Sequence, residues 1–242
     1  MATILSSDPQ SVSQPLFSDS ATAQNQLGQR VVDDTGNVYR YVKAGGTALV
    51  PGKLQQSAAE ITDHQNLAPT ANAAIGATSV TVTLGSTAAT ANYYSNGWMI
   101  VTASTGAGYR YKIASHPAAD SAATLTLTLS DALLTTLASS TSKIDLIPNP
   151  YQSVVVNPST ATSDPIGVAV YPITAAYFGW IQTGGVVPVL ADGTVVVGTA
   201  VVASNATAGA VEALTGVQAP VGLAVTGAAT TEYGAIRLLL DQ

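Results

Sequence analysis

The chain contains no cysteine. Disulfides, thiolate metal sites and cysteine nucleophiles are therefore excluded, and the redox compartment stays open. Charge is nearly as scarce. Asp, Glu, Lys and Arg make up 9% of the 242 residues, against roughly 25% in an ordinary soluble domain. Only eight residues are basic, and they are scattered as Arg30, Arg40, Lys43, Lys53, Arg110, Lys112, Lys143 and Arg237. No basic stripe forms, so direct nucleic-acid binding is not expected. No apolar run approaches the roughly 18 residues of a membrane helix, so no membrane partner is expected. The N-terminal stretch lacks a basic region followed by an apolar one and does not read as a signal peptide.

Reactive constellations are missing as well. The two histidines, His64 and His116, stand in a polar loop and before a proline, and both read as ordinary surface or turn residues. Neither has metal-ligand spacing. There is no GxSxG elbow and no P-loop. Asp33-Asp34 is the one adjacent acidic pair in the hairpin region. With Asn37 it has the makings of a calcium ligand set, but stabilisation of a turn is the stronger reading. No cofactor, no metal and no catalytic residue is expected.

What remains is small, uncharged and strand-like. Hydrophobic residues reach 47%, much of that alanine and valine. Residues with little charge suit surfaces packed against neighbours, where each buried ion would be costly. Ser79–Leu84, Gly108–Ile113 and Thr124–Leu129 alternate with period two, and Gly97–Val101 reads as a short buried strand. Val31-Val32 and Val38–Val42 flank a turn of Asp33-Asp34-Thr35-Gly36-Asn37, which predicts a hairpin. Helix is expected only as two turns over Lys53–Glu60 and one short segment over Asp131–Leu137 with Ser130 as its cap.

The fold class expected is therefore all-β: small antiparallel barrels or sandwiches with an extended N-terminal arm. Residues 1–28 form the arm, broken by Pro9 and Pro15. Its apolar positions, Ile4, Leu5, Val12, Leu16 and Phe17, are the candidate partner-binding residues. Residues 29–73 hold the hairpin and a connector, packed with a C-terminal barrel. Residues 74–150 form an inserted β domain, closed by Pro148-Asn149-Pro150. Residues 151–242 form the barrel.

That last region contains an echo. Pro165-Ile166-Gly167-Val168-Ala169-Val170 precedes Phe178-Gly179-Trp180-Ile181, and 55 residues later Pro220-Val221-Gly222-Leu223-Ala224-Val225 precedes Tyr233-Gly234-Ala235-Ile236. The register is kept throughout without a gap. Each copy reads as a hairpin, and the pair predicts a pseudo-two-fold barrel.

Several runs point to a family. Gly36–Gly46, Tyr94–Val101 and Tyr177–Gly185 look like segments of virion structural proteins of tailed bacteriophages. The C-terminal part, with its Gly-x-Ala strands and Asp192-Gly193-Thr194-Val195-Val196-Val197-Gly198, resembles small β-barrel capsid decoration (cement) proteins. The resemblance implies a location on the capsid surface of a virion. It also implies the major capsid protein as partner, and self-association as a homotrimer or other symmetric oligomer. The alternative is a receptor-binding or fibre adhesion module using exposed tyrosines.

Overall fold

The computed structural model describes residues 12–241 and the backbone of Ile4–Leu5. Sixteen strands run through the described residues: β1 (Ile4–Leu5), β2 (Arg30–Asp33), β3 (Val38–Lys43), β4 (Leu54–Gln56), β5 (Ser79–Thr83), β6 (Trp98–Ala103), β7 (Arg110–Ser115), β8 (Thr124–Leu129), β9 (Lys143–Ile147), β10 (Val155–Val156), β11 (Pro165–Ala169), β12 (Phe178–Leu190), β13 (Ala200–Ala203), β14 (Val211–Ala213), β15 (Gly222–Ala224) and β16 (Tyr233–Leu239). Among the described residues there is no α-helix, only one 3₁₀ turn at Thr62–His64. None is long and apolar enough to cross a membrane. The expected all-β class holds.

Both expected helices are absent for the same reason. The backbone of Leu54–Gln56 pairs with β10 on one side and β11 on the other, and all three residues are buried. In the segment after Ser130, Leu133 and Leu137 donate their N–H groups across to Ala77 and Ala73 instead of four residues back. Long-range partners won over weak local propensity.

The chain divides into two units: Met1–Ala59 with Pro150–Gln242, and Glu60–Asn149. The insertion therefore begins well before residue 74, because the segment after Glu60 belongs with the second unit. Its sheet runs β5-β8-β7-β6-β9, and every neighbour is antiparallel. Leu67 bridges Ile144 of β9 and Pro69 bridges Val82 of β5, so one short stretch links the two outer strands. The period-two reading is realised in β8, where Leu125, Leu127 and Leu129 face the core and the threonines face out.

The first unit is a duplication deeper than the sequence echo. The echo itself is confirmed by register: Val168↔Gln182 and Ala169↔Ile181 in one hairpin correspond to Leu223↔Arg237 and Ala224↔Ile236 in the other, each shifted by 55 residues. Strands from before the insertion extend the correspondence. β4 pairs β11 through Leu54↔Val168 and Gln55↔Gly167, as β13 pairs β15 through Ala200↔Leu223 and Val201↔Gly222. β3 pairs the start of β12 through Lys43↔Phe178 and Tyr41↔Trp180, as the end of β12 pairs β16 through Leu190↔Tyr233 and Pro188↔Ala235. β10 lies beside β4 as β14 lies beside β13.

Each repeat is thus a curled set of five strands, and the 13-residue β12 serves both: its first half closes the first repeat and its second half opens the second. The barrel expected over residues 151–242 is replaced by two repeats, the first of which takes in residues 38–57 from the segment expected to pack against it. A shared core crosses between them, with Leu54 and Val168 packed among Val187, Val189, Val201, Val211 and Ile236.

The repeats also locate the insertion. Where the second repeat turns through residues 204–210, the first carries the whole Glu60–Asn149 unit. Joining Ala59 to Pro150 through a single glycine restores the length of that turn. We expect the shortened chain, and residues 60–149 alone, each to give a β-type circular dichroism spectrum and a cooperative unfolding transition. An unfolded product from either would contradict the assignment of two self-sufficient cores.

Candidate interaction surfaces

The chemistry-bearing side chains are engaged in structure. Both histidines are buried, contrary to their expected place at the surface. His64 Nε2 lies 2.8 Å from the carbonyl of Thr87, which can only accept, so Nε2 carries the proton and Nδ1 accepts from the Tyr94 hydroxyl. His116 Nε2 accepts from the Tyr94 N–H at 3.0 Å, which places its proton on Nδ1 toward the Pro117 carbonyl at 2.7 Å. The two rings thus fix Tyr94, which is itself fully buried in the core of the inserted unit. Neither ring reaches a surface from which to meet a substrate.

Burial pushes His116 below its ordinary value of 6.5; the Pro117 carbonyl opposes the shift and His64 adds to it. The unfolded chain therefore takes up this proton more readily than the folded one. The contribution to stability is complete above pH 6.5 and is lost as the pH falls from there toward the depressed folded value. Unfolding midpoints of the 60–149 unit should drop between pH 7 and pH 5, and His116→Gln should flatten that slope. An unchanged slope in the variant would assign the effect elsewhere.

The acidic pair resolves as a turn. Asp33 Oδ1 accepts from the N–H groups of Thr35 and Asn37, each at 2.9 Å, and Oδ2 from the Asn37 amide at 3.0 Å. Burial works against the charge, but these bonds overcome it and hold the carboxyl below the usual range. Among the described residues no group of three or more His, Asp or Glu side chains is placed to hold a metal ion.

The candidate partner-binding residues have several fates. The backbone of Ile4–Leu5 pairs β2 of its own chain; their side chains lie outside the described residues. From Val12 to Phe17 burial alternates through a bend at Gln14 and a turn at Leu16-Phe17: Val12, Gln14 and Leu16 turn inward, and Ser13, Pro15 and Phe17 turn outward. Leu16 is buried, and Val12 packs beside it on Tyr39, Tyr41 and Trp180 of the first repeat. Leu16 is thus part of the chain's own core and is not offered to a neighbour. Phe17 is different, with 54% of its surface exposed.

Gln14, which the sequence did not single out, holds the segment down. Its amide nitrogen donates to the carbonyls of Ser18 at 2.9 Å and Phe178 at 3.1 Å. Its side-chain oxygen accepts from Tyr41, and its backbone carbonyl accepts from Trp180 Nε1 at 3.1 Å. Ser20 then pairs with Phe178 through both backbone groups. The outer face of the first repeat is aromatic and covered.

The same face of the second repeat is open. Its cross-strand pairs are Val186↔Arg237, Pro188↔Ala235 and Leu190↔Tyr233. Val186 is 46% exposed, Tyr233 53% and nearby Val225 39%, whereas Tyr39 and Tyr41 in the first repeat are at most 4% exposed. Arg237 is the one charge in those pairs. A second exposed apolar spot lies on the inserted unit, where Ile75 and Leu134 flank the backbone bonds between Gly76, Ala77 and Leu133. Nearby Asn72, Ala73, Ala74, Thr136, Leu137 and Ala138 line a groove of 330 Å³.

Compared with family models, curated proteins and solved structures, the chain matches none.

Proposed function

We propose that the chain is a structural protein of a tailed-phage virion that decorates the capsid and bridges neighbouring major capsid proteins. The observation that carries this reading is the open face of the second repeat. It presents Val186, Pro188, Tyr233 and Val225 to solvent with one charge among them, on a chain with 9% charged residues overall. Contiguous exposed apolar surface of this kind marks a protein–protein contact. Capsid shells offer such contacts in many equivalent copies, and burial between subunits stabilises the assembled state by mass action. The sequence resemblance points the same way.

The test is sedimentation with expanded shells that lack the protein. The chain should pellet with them at a saturating, fixed ratio to the coat protein. Protein that stays in the supernatant at every concentration overturns the reading.

One arrangement favours the adhesion alternative. In the inserted unit Arg110 lies 4.3 Å over the Trp98 ring, and the 43%-exposed Tyr109 stacks on Tyr111. Aromatic faces of this kind stack on sugars. Copy number separates the two: decoration requires numbers comparable to the coat protein, whereas an adhesin is present in far fewer.

A further inference from the structure

The duplication shows what the open face lacks. Register equates Tyr39 with Val186, Tyr41 with Pro188, Lys43 with Leu190, Phe178 with Tyr233, Trp180 with Ala235 and Gln182 with Arg237. In the first repeat Tyr39, Tyr41, Phe178 and Trp180 are covered by the segment from Val12 to Leu27. In the second repeat nothing described covers their counterparts, and three of the four rings, Tyr39, Tyr41 and Trp180, are replaced by Val186, Pro188 and Ala235. The result is an exposed apolar face with less aromatic bulk than its counterpart.

The covering segment has a free side that fits. Its outward row is Ser13, Pro15 and Phe17, without charge and ending in an exposed aromatic ring. Asp19, two residues on, adds one anion, whose Oδ2 accepts from the Thr174 N–H at 2.9 Å, and the face has one cation in Arg237.

We propose that Phe17 and its outward row dock on the open face of the second repeat of another copy of this chain, head to tail. The segment is then held between the first repeat of its own chain and the second repeat of the next. Such a contact is heterologous, so identical chains close into a ring when the rotation permits. This inference deepens the reading of the face as an assembly surface by naming its first occupant.

Sedimentation of the purified full chain tests it. The wild type should show concentration-dependent association above 24.4 kDa. Phe17→Asp and Tyr233→Asp should each weaken that association by about tenfold or more, as loss of a central aromatic contact does. Mixing the two variants should restore one contact per pair, the Phe17 of one on the intact face of the other, and yield a dimer that does not grow. Val186→Asp serves as a second face variant should Tyr233→Asp unfold. A wild type that remains a monomer throughout, association that Phe17→Asp leaves unchanged, or a mixture that stays monomeric overturns the proposal. Shell binding by a strict monomer overturns this contact alone. A self-associating chain that ignores shells overturns only the decoration reading.

Discussion

Gly167→Ala and Gly222→Ala are each expected to destabilise the first unit by about 3 kcal/mol or more, and by similar amounts. The two glycines occupy equivalent positions 55 residues apart, each opposite the same strand of its own repeat. A Cβ on Gly167 would lie 2.7 Å from the carbonyl oxygen of Gln182 and 2.8 Å from Ile181 Cδ1. A Cβ on Gly222 would lie 2.5 Å from the carbonyl oxygen of Arg237 and 2.7 Å from Ile236 Cγ2. A side-chain tip can swing aside; a carbonyl in a ladder cannot move without breaking the pairing of two strands. Denaturant unfolding followed by circular dichroism measures the loss. Fluorescence of Trp98, which lies in the other unit, reports whether the 60–149 transition stays where it was. If one alanine is tolerated and the other is not, the two hairpins do not share this close approach.

Trp180→Ala should cost about 3–5 kcal/mol, the range for removing a large buried aromatic. Trp180 is fully buried, and its ring meets Tyr41 edge-on at 5.0 Å. Its indole N–H also satisfies the carbonyl of Gln14, so truncation leaves a cavity and an unpaired acceptor together. The loss falls on the segment from Val12 to Leu27 because this ring is part of its floor. Limited proteolysis should therefore cut the variant within that segment well before the rest of the chain. Trp180→Phe keeps most of the packing and should cost markedly less. Equal resistance of Trp180→Ala and wild type to cleavage would show that Gln14 and Ser20 hold the segment without the ring.

The strands were legible because their signal is local. Thr124–Leu129 alternates so strictly that only one face can be buried, and the structure buries it. The turn at Asp33–Asn37 was legible because Asp, Asn and Gly meet a backbone demand that few other residues meet. Leu54–Gln56 was not, since Leu-Gln-Gln carries no period and its strand exists only through β10 and β11 on either side. The histidines misled for a similar reason. A polar loop and a proline suggested solvent, but Tyr94 supplies both rings with buried hydrogen-bond partners.

The duplication was half visible. The β11–β12 and β15–β16 hairpins kept enough identity to be read at a fixed offset. Their companions did not: Ala44-Gly45-Gly46-Thr47-Ala48-Leu49 and Ala191-Asp192-Gly193-Thr194-Val195 differ in length by one residue, and the inserted unit puts the first far from its own repeat.

By itself the sequence determined the all-β class, the scarcity of charge, the position of most strands and the existence of a repeat. All of these follow from side-chain period, turn chemistry and composition within a few residues. Only the tertiary structure decided that β12 serves two repeats, that residues 12–28 lie on the first of them, and that the matching face of the second is left open. Those facts depend on which distant backbones pair and what lies over them, and no local pattern of residues records that.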